Sequence, residues 1–395
     1  MNFCSRCVYP HSAVNLEVDD ENICSSCHTF EEIKKISKED WKLREKKLVE
    51  IIENNKKTNQ NEYDCIIPVG GGKDSYYQVH KILELGFNPL LVTYYGNNFL
   101  PEGQVNLDNM KVNFNCDHFI FYPNVKSLKK INLAAFKMMG DMNWHAHAGI
   151  NIIPANMALK YNINIFIWGE IAWDVSGMFS HHDYVEFNKR NIIEHDMRGF
   201  TKDDFIGKEN IKQRDMSWCK LPTDEEFQKN NLRGVYLGNF IPWDAQKQTQ
   251  LIKKKYDWIE SKEGFERTYK KASNLDDMHE NGVHDYMKWI KFGYGRCSDH
   301  ASKDIRMGYF NRSKGVKYVK KYDHVKPKRD LDRWLEYVNI SEDEFDNIAD
   351  RFRDERVWSI VDNKWHKKDI DGEYRSYGYC NLNNEEKRGY KKNEH

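Results

Sequence analysis

The chain has 395 residues, which is long enough to bury a sizeable core in one large domain with appendages or in two domains. Lysine plus arginine and aspartate plus glutamate both number 61, so the formal charge of zero gives no general attraction to nucleic acid. The aromatic content of 13% argues against a disordered chain.

The sequence contains no candidate membrane segment. No stretch is apolar over the roughly eighteen residues that a membrane-spanning helix needs, and the first residues do not form an apolar signal segment. We therefore expect a cytoplasmic protein without a membrane or nucleic-acid partner. In that compartment the nine cysteines should be reduced or bound to metal.

Two cysteine pairs stand near the N-terminus. Cys4 and Cys7 form the first Cys-x2-Cys pair, and Cys24 and Cys27 form the second. This spacing is typical of zinc ribbons, in which four thiolates close a tetrahedron and leave no coordination position for catalysis. The sequence therefore predicts a structural Zn²⁺ site in a zinc ribbon over residues 1–32.

A glycine-rich turn follows the first predicted strand, at residues 63–69, and precedes a helix that ends near Gly86. Such a turn brings backbone N–H groups and a helix N-terminus together, which favours phosphate binding, although an ordinary tight connection is the alternative. The turn matches neither the Walker A pattern nor the dinucleotide-binding fingerprint. Its residues are Gly70, Gly71, Gly72, Lys73, Asp74 and Ser75.

Apolar runs that alternate with helix-forming segments predict the rest of the fold. Four such runs, at 89–95, 118–122, 163–168 and 235–241, add four strands to the first. This alternation is typical of a doubly wound parallel sheet, here five-stranded, with helices on both faces in an α/β domain. The predicted segments are a helical linker at 33–61, the α/β domain at 62–245, a helical C-terminal region at 246–380 that completes the site, and a disordered tail at 381–395.

The carboxyl ends of the predicted strands indicate further site residues, because nucleotides bind at that edge of a parallel sheet. Thr93 and Tyr94 end the second strand, and Gly169 and Glu170 follow the fourth. Glu170 could ligate Mg²⁺, orient a nucleophile or cap a helix. The long polar segment at 174–215 is typical of a lid or an interaction surface.

Together these segments resemble the N-acetyl sugar amidotransferase family of PP-loop ATP pyrophosphatases. The resemblance covers most of the chain and rests on the cysteine pairs and on residues 70–75, 144–150, 167–170 and 292–306. The loop resembles the superfamily pattern Ser-Gly-Gly-x-Asp-Ser, except that Gly70 stands where the pattern has Ser. The last segment is the most particular to this family.

The resemblance implies an enzyme that uses ATP and Mg²⁺ to modify a nucleotide-activated or nonulosonic sugar of the bacterial surface. The oxygen of an acetamido group would attack the α-phosphate of ATP and release pyrophosphate. Ammonia would then displace AMP from the adenylated imidate and leave an acetamidino group.

The resemblance also implies roles for individual residues. The loop residues with Thr93, Tyr94 and Gly169 would bind ATP. The catalytic candidates are Asp74, His147 and Glu170, of which His147 and Glu170 would handle the proton that ammonia loses. The substrate or phosphate candidates are Trp144, His145, Trp173, Arg296, His300 and Arg306.

No glutaminase is recognisable in this chain. A glutaminase nucleophile needs a cysteine beside a histidine and a carboxylate, and none of the cysteines outside the two pairs has such a setting in the sequence. The resemblance therefore implies that a separate glutaminase and a cyclase-like subunit deliver ammonia.

Two alternatives stay open at this point. Some PP-loop enzymes that thiolate tRNA also carry paired cysteines, but such an enzyme would need a basic RNA-binding face. A zinc-ribbon scaffold that binds nucleotide without turnover is the second alternative, and Gly70 in place of Ser is its only support in the sequence.

Overall fold

The computed structural model describes residues 2–58, 62–169, 186–187, 189–273 and 280–390. None of the helices in these ranges combines the length and the apolar character of a membrane-spanning segment.

A six-stranded sheet forms the centre of the molecule. Its strands are β1 (Cys65–Pro68), β2 (Pro89–Tyr94), β3 (His118–Phe121), β4 (Ile165–Trp168), β5 (Glu186–Phe187) and β6 (Arg233–Tyr236). Five of them are parallel in the order β3-β2-β1-β4-β6, and β5 pairs with β6 in the antiparallel direction at one edge. This arrangement confirms the predicted five-stranded parallel sheet.

Two details of the predicted sheet need correction. The last parallel strand ends at Tyr236 instead of running through 235–241, because the chain turns into a 3₁₀ helix at Leu237–Asn239. Phe240 and Ile241 are nevertheless buried, so core packing after the strand produced the apolar run. The short edge strand β5 was not predicted, and it lies inside the long polar segment.

Helices cover both faces of the sheet. Adjacent side chains of a strand point to opposite faces, so strands that are apolar throughout need a core on each side. Ile67 packs in the core beneath the helix that follows the glycine-rich loop, and Ile66 packs in the core on the other face. The longer helices of this half of the chain are α1 (Ser25–Lys34), α2 (Lys38–Thr58), α3 (Lys73–Glu84), α4 (Pro101–Asn113), α5 (Val125–Met139), α6 (Trp144–Tyr161), α7 (Asp224–Lys229) and α8 (Ala245–Tyr256).

The segment predicted as a helical linker takes part in the sheet core. Leu48 and Ile52 of α2 are buried against the face that also receives α3 and α4. Arg44 of the same helix donates a hydrogen bond to the Asn239 carbonyl at 2.9 Å. These contacts fix α2 to the sheet instead of leaving it as a bridge between domains.

The C-terminal region contains helices and a second sheet. Its helices are α9 (Glu280–Phe292), α10 (Arg296–Arg306), α11 (Arg312–Tyr322), α12 (Lys328–Val338) and α13 (Glu342–Asp350). An antiparallel sheet of β7 (Trp358–Val361), β8 (Lys364–Lys368) and β9 (Tyr374–Tyr379) follows them. The sequence predicted a helical C-terminal region, and this antiparallel sheet was not part of that prediction. In β8 the buried positions alternate, as in a strand with one face on a core.

The chain remains packed beyond this second sheet. Leu382 is buried, and the ring of Tyr390 lies 4.9 Å from that of Trp365. Residues 381–390 therefore do not form the disordered tail that the sequence predicted, because aromatic and apolar side chains anchor them. Residues 391–395 lie outside the described ranges.

The cysteine-rich N-terminal segment packs on the C-terminal helices. The Arg312 Nε atom of α11 donates hydrogen bonds to the carbonyls of Cys7 at 2.8 Å and Cys4 at 3.2 Å. The rings of Tyr9 and Tyr294 make an edge-to-face contact at 5.8 Å. These contacts hold Tyr9 beside α10, and both contribute to the wall of the cavity described below.

Candidate active site

The glycine-rich loop between β1 and α3 has a tightly constrained backbone. Gly71 has a φ of +87°, and a Cβ atom there would lie 2.7 Å from the Leu107 Cα of α4. The loop is also held by two hydrogen bonds, from Gly70 N to Ser75 Oγ at 3.0 Å and from Trp258 Nε1 to the Gly71 carbonyl at 3.0 Å. Because α3 begins at Lys73, the loop leads directly into a helix N-terminus.

A cavity of about 570 Å³ opens beside this loop, and we call it the loop cavity. Its wall comes from the loop, from α8 and the segment after it, from α10 and from Tyr9. The lining residues are Tyr9, Gly72, Lys73, Asp74, Ala245, Gln246, Thr249, Gln250, Lys253, Glu260, Tyr269, Lys270, Lys271, Ala272, Ser273, Arg296, Asp299, His300, Lys303, Asp304 and Arg306.

The loop cavity carries an excess of positive groups, since five lysines and two arginines face four carboxylates along its wall. Several cations are held in place by these and neighbouring acids. Lys270 donates to Asp304 at 2.7 Å, and Arg296 Nε donates to Asp285 at 3.0 Å. A concave site of this sign attracts anionic ligands even though the whole chain has no net formal charge.

Asp74 is the acidic member of the loop that faces this cavity. One of its carboxylate oxygens pairs with the ammonium group of the adjacent Lys73. The other oxygen is buried and has no hydrogen-bond partner among the described residues. Carboxylate oxygens are the ligands that Mg²⁺ prefers, so Asp74 fits a magnesium ion that would accompany a phosphate ligand.

His300 of α10 lies in the cavity as a neutral group. Burial, together with the nearby Lys270 and Arg296, holds the pKa of His300 well below its usual range. Its Nδ1 atom is 2.6 Å from the Thr268 hydroxyl. At neutral pH this ring can exchange hydrogen bonds with a ligand but adds no positive charge.

Arg296 and Arg306 stand at the two ends of α10. Arg306 lies over the Tyr9 ring, with 5.6 Å between the guanidinium carbon and the ring centroid. Tyr9 in turn donates a hydrogen bond to Asp299 at 3.1 Å. The structure therefore brings together Lys73, Asp74, Arg296, His300 and Arg306, which the sequence had placed in one site.

Four other predicted site residues are buried in the core and do not line the loop cavity: Thr93, Tyr94, Trp144 and His145. The Thr93 hydroxyl donates to the Val69 carbonyl at 2.6 Å, and the Tyr94 hydroxyl is 3.1 Å from His145 Nδ1. Trp144 Nε1 donates to the Met197 carbonyl at 2.9 Å. All four side chains are buried, so their polar groups serve the core rather than the loop cavity.

The last predicted residues lie at the end of β4. Gly169 is buried, and a Cβ atom there would lie 2.3 Å from the Gln78 amide nitrogen of α3. The close approach of α3 therefore explains why position 169 requires glycine. Glu170 and Trp173 lie outside the described residues. Residues 174–185 and 188 of the long polar segment also lie outside them.

His147 belongs to a second cluster, which sequence reasoning found only in part. It lies in the first turns of α6 beside Asp141 and His284, and the ligand atoms of these three side chains lie within 4.8 Å of one another. Burial lowers the pKa of His147 to about 4, so the ring is neutral at neutral pH. The sequence analysis had named only His147 of this cluster, as a catalytic candidate, and His284 had no signal in the sequence.

The four N-terminal cysteines form the compact cluster that their spacing predicted. All four are buried, and their sulfur atoms lie within 4.8 Å of one another. The Sγ–Sγ distances are 3.6 Å for Cys7 and Cys24 and 4.0 Å for Cys4 and Cys27. Four sulfurs at about 2.3 Å from a central Zn²⁺ ion would be about 3.8 Å apart, so the cluster fits a structural zinc site.

Comparison with known proteins identifies a relationship for the C-terminal region. Residues 254–369 match the family model of the C-terminal domain of WbpG-like LPS biosynthesis proteins. This part of the chain is therefore similar to proteins of lipopolysaccharide biosynthesis. No curated protein matches the chain significantly. The matched segment contains α9 and α10, so it supplies the C-terminal wall of the loop cavity and His284 of the second cluster.

Replacing Gly71 by Ala should lower the free energy of unfolding by about 1–3 kcal/mol beyond the cost of positive φ alone, because the new methyl group meets the α4 backbone. Gly86→Ala is the matched control, since Gly86 also has a φ of +87° but a Cβ atom there would meet nothing within 4 Å. Urea unfolding of both variants measures the difference. Equal losses would show that contact with Leu107 contributes nothing.

Cys7→Ser should remove the structural zinc ion, because three thiolates and a hydroxyl bind it far more weakly than four thiolates. Metal analysis of the purified chain should show one zinc equivalent fewer than in the unaltered protein. Cys116→Ser is the control, since Cys116 lies outside the cluster. Unchanged zinc content in Cys7→Ser would contradict a four-cysteine site.

Proposed function

We propose that this protein is an ATP-dependent amidotransferase that converts an acetamido group of a surface-sugar precursor into an acetamidino group. The observation that supports it best is the loop cavity. There a glycine-rich loop that leads into a helix N-terminus faces α10, which belongs to the segment similar to LPS biosynthesis proteins.

In this proposal the loop and its neighbours bind the phosphates of ATP. Backbone N–H groups at Gly71–Ser75 and the N-terminus of α3 provide neutral donors, while Lys73 and Arg296 provide charge. Asp74 would hold Mg²⁺, which supplies neutralisation of the leaving pyrophosphate. The cavity volume of about 570 Å³ is in the range of small-molecule sites.

The reaction would proceed in two displacements. The acetamido oxygen forms a bond to the α-phosphorus as the bond to the pyrophosphate oxygen breaks, giving an adenylated imidate. Ammonia then forms a bond to the imidate carbon, the carbon–oxygen bond to AMP breaks, and one proton is released. The chain would accelerate the first step mainly by positioning and by stabilising charge on the pyrophosphate. The proton acceptor of the second step is predicted to be Glu170, because His147, the other candidate from the sequence, does not line the loop cavity.

Ammonia has to come from another protein in this proposal. Among the cysteines outside the zinc cluster, burial raises the pKa of Cys116 to about 11 and that of Cys219 to about 12. Burial also raises the pKa of Cys65, Cys297 and Cys380. Such thiols stay protonated at neutral pH, whereas a glutaminase requires a thiolate. We therefore propose a separate glutaminase that acts with a cyclase-like subunit.

The decisive experiment measures pyrophosphate and AMP release from ATP and Mg²⁺ across a panel of acetamido nucleotide sugars and nonulosonic acids. We expect release only with the correct sugar and with ammonium, and a product whose mass differs from the substrate by the exchange of O for NH. Glutamine alone should give no product. Release that depends on tRNA instead of sugar would overturn the proposal in favour of an RNA-modifying enzyme, and ATP binding without release would favour a scaffold.

Lys73→Ala should lower kcat/KM for ATP about ten- to a hundredfold, because a charge-assisted phosphate contact is worth about 1.5–3 kcal/mol. Lys254→Ala is the control, since Lys254 is exposed on α8 and does not line the loop cavity. Steady-state kinetics with the sugar identified by the panel make the comparison. An equal effect of the two changes would remove Lys73 from the phosphate site.

A further inference from the structure

A second site, outside the loop cavity, combines side chains from three elements. Asp141 lies in the turn after α5, His147 in the first turns of α6, and His284 on α9 of the C-terminal region. Their ligand atoms all lie within 4.8 Å of one another. None of the three lines the loop cavity, and the phosphate chemistry proposed above does not need this cluster.

The polar atoms of this cluster are only partly satisfied. Asp141 is 1% exposed, and one of its carboxylate oxygens accepts a hydrogen bond from the Asn143 N–H at 3.0 Å and lies 2.9 Å from His284 Nδ1. The other carboxylate oxygen and the Nε2 atom of His147 are buried without a hydrogen-bond partner among the described residues. Buried polar atoms without partners cost free energy, so two of them in one cluster would gain from an ion or a water molecule bound between them.

We propose that Asp141, His147 and His284 bind a divalent transition metal, and we expect Zn²⁺. Two imidazoles and one carboxylate form a donor set that suits zinc, cobalt or iron, whereas Mg²⁺ and Ca²⁺ prefer oxygen ligands throughout. Three protein ligands leave a coordination position open for water or a substrate donor, unlike the closed four-cysteine site.

The separations between the ligand atoms are compatible with one ion. Ligand atoms at about 2.0–2.2 Å from a tetrahedral metal lie about 3.4 Å apart. The Asp141 oxygen and His284 Nδ1 are already 2.9 Å apart, so modest side-chain rotations would complete the set. Asp141 and His284 are 143 residues apart in the sequence, so an ion here would join the sheet to the segment similar to LPS biosynthesis proteins.

Positive side chains near the cluster oppose metal binding, because they can pair with Asp141 in place of a metal ion. Arg198 Nε lies 3.7 Å from the second Asp141 oxygen, and the Arg198 side chain is 47% exposed. The positive charge of Lys291 also attracts the Asp141 carboxylate and lowers its pKa. Because Arg198 reaches solvent, it can turn away when an ion neutralises the carboxylate. The alternative is a hydrogen-bonded Asp141–His284 pair, held by Arg198, without any metal.

Metal analysis of the full-length protein tests the proposal. After dialysis against Zn²⁺ or Co²⁺ and removal of free metal, we expect two metal equivalents per chain. The second Co²⁺ ion should give visible absorption without the sulfur-to-metal band of the cysteine site. His284→Ala and Asp141→Asn should each weaken Co²⁺ binding at this site about a hundredfold or more and leave the cysteine site loaded.

His195→Ala is the matched control, because His195 is exposed and lies outside the cluster. Cys7→Ser should remove the other equivalent and keep this one. If His284→Ala fails to fold, the cobalt spectrum of the unaltered chain and the Asp141→Asn variant still test whether the second metal site exists. A single metal equivalent that Cys7→Ser abolishes would overturn the proposal. Since no turnover is measured, this outcome is independent of the proposed amidotransferase activity.

Discussion

The backbone conformation of Gly71 is the constraint on which the loop cavity depends. A positive φ and the contact with the α4 backbone admit only glycine at this position. The same loop is joined to the cavity wall by the hydrogen bond from Trp258, and Asn106 of α4 exchanges two hydrogen bonds with the Ile259 backbone. The loop, α4 and the segment after α8 therefore form one hydrogen-bonded unit, which sets the distance between the phosphate loop and the cations opposite.

Charged side chains of the loop cavity are already held in position before a ligand binds. Asp304 accepts hydrogen bonds from both Lys270 and the Tyr269 hydroxyl, and Asp285 holds Arg296. Groups that are already oriented lose less conformational entropy on binding, which favours a polyanionic ligand. The uneven distribution of charged residues, with more cations than acids along this wall, accounts for a positive cavity in a chain of zero formal charge.

The cysteine-rich segment contributes to the cavity instead of standing apart from it. Tyr9 follows the first cysteine pair and lies between Asp299 and Arg306 of α10. Arg312 binds the carbonyls of Cys4 and Cys7, so the position of Tyr9 depends on the cysteine cluster. A structural zinc ion would therefore stabilise one wall of the site, in addition to the fold of its own segment.

Local patterns in the sequence determined the parallel sheet, the glycine-rich loop and the cysteine cluster, because each depends on residues close together in the chain. The direction of side chains at strand ends was decided only by tertiary packing. Thr93 and Tyr94 end β2 as predicted, yet their hydroxyls bond to Val69 and His145 because neighbouring elements cover them. The association of His284 with Asp141 likewise requires α9 to pack beside the start of α6. No pattern within a short stretch of sequence encodes that contact, so only the folded structure brings those side chains together.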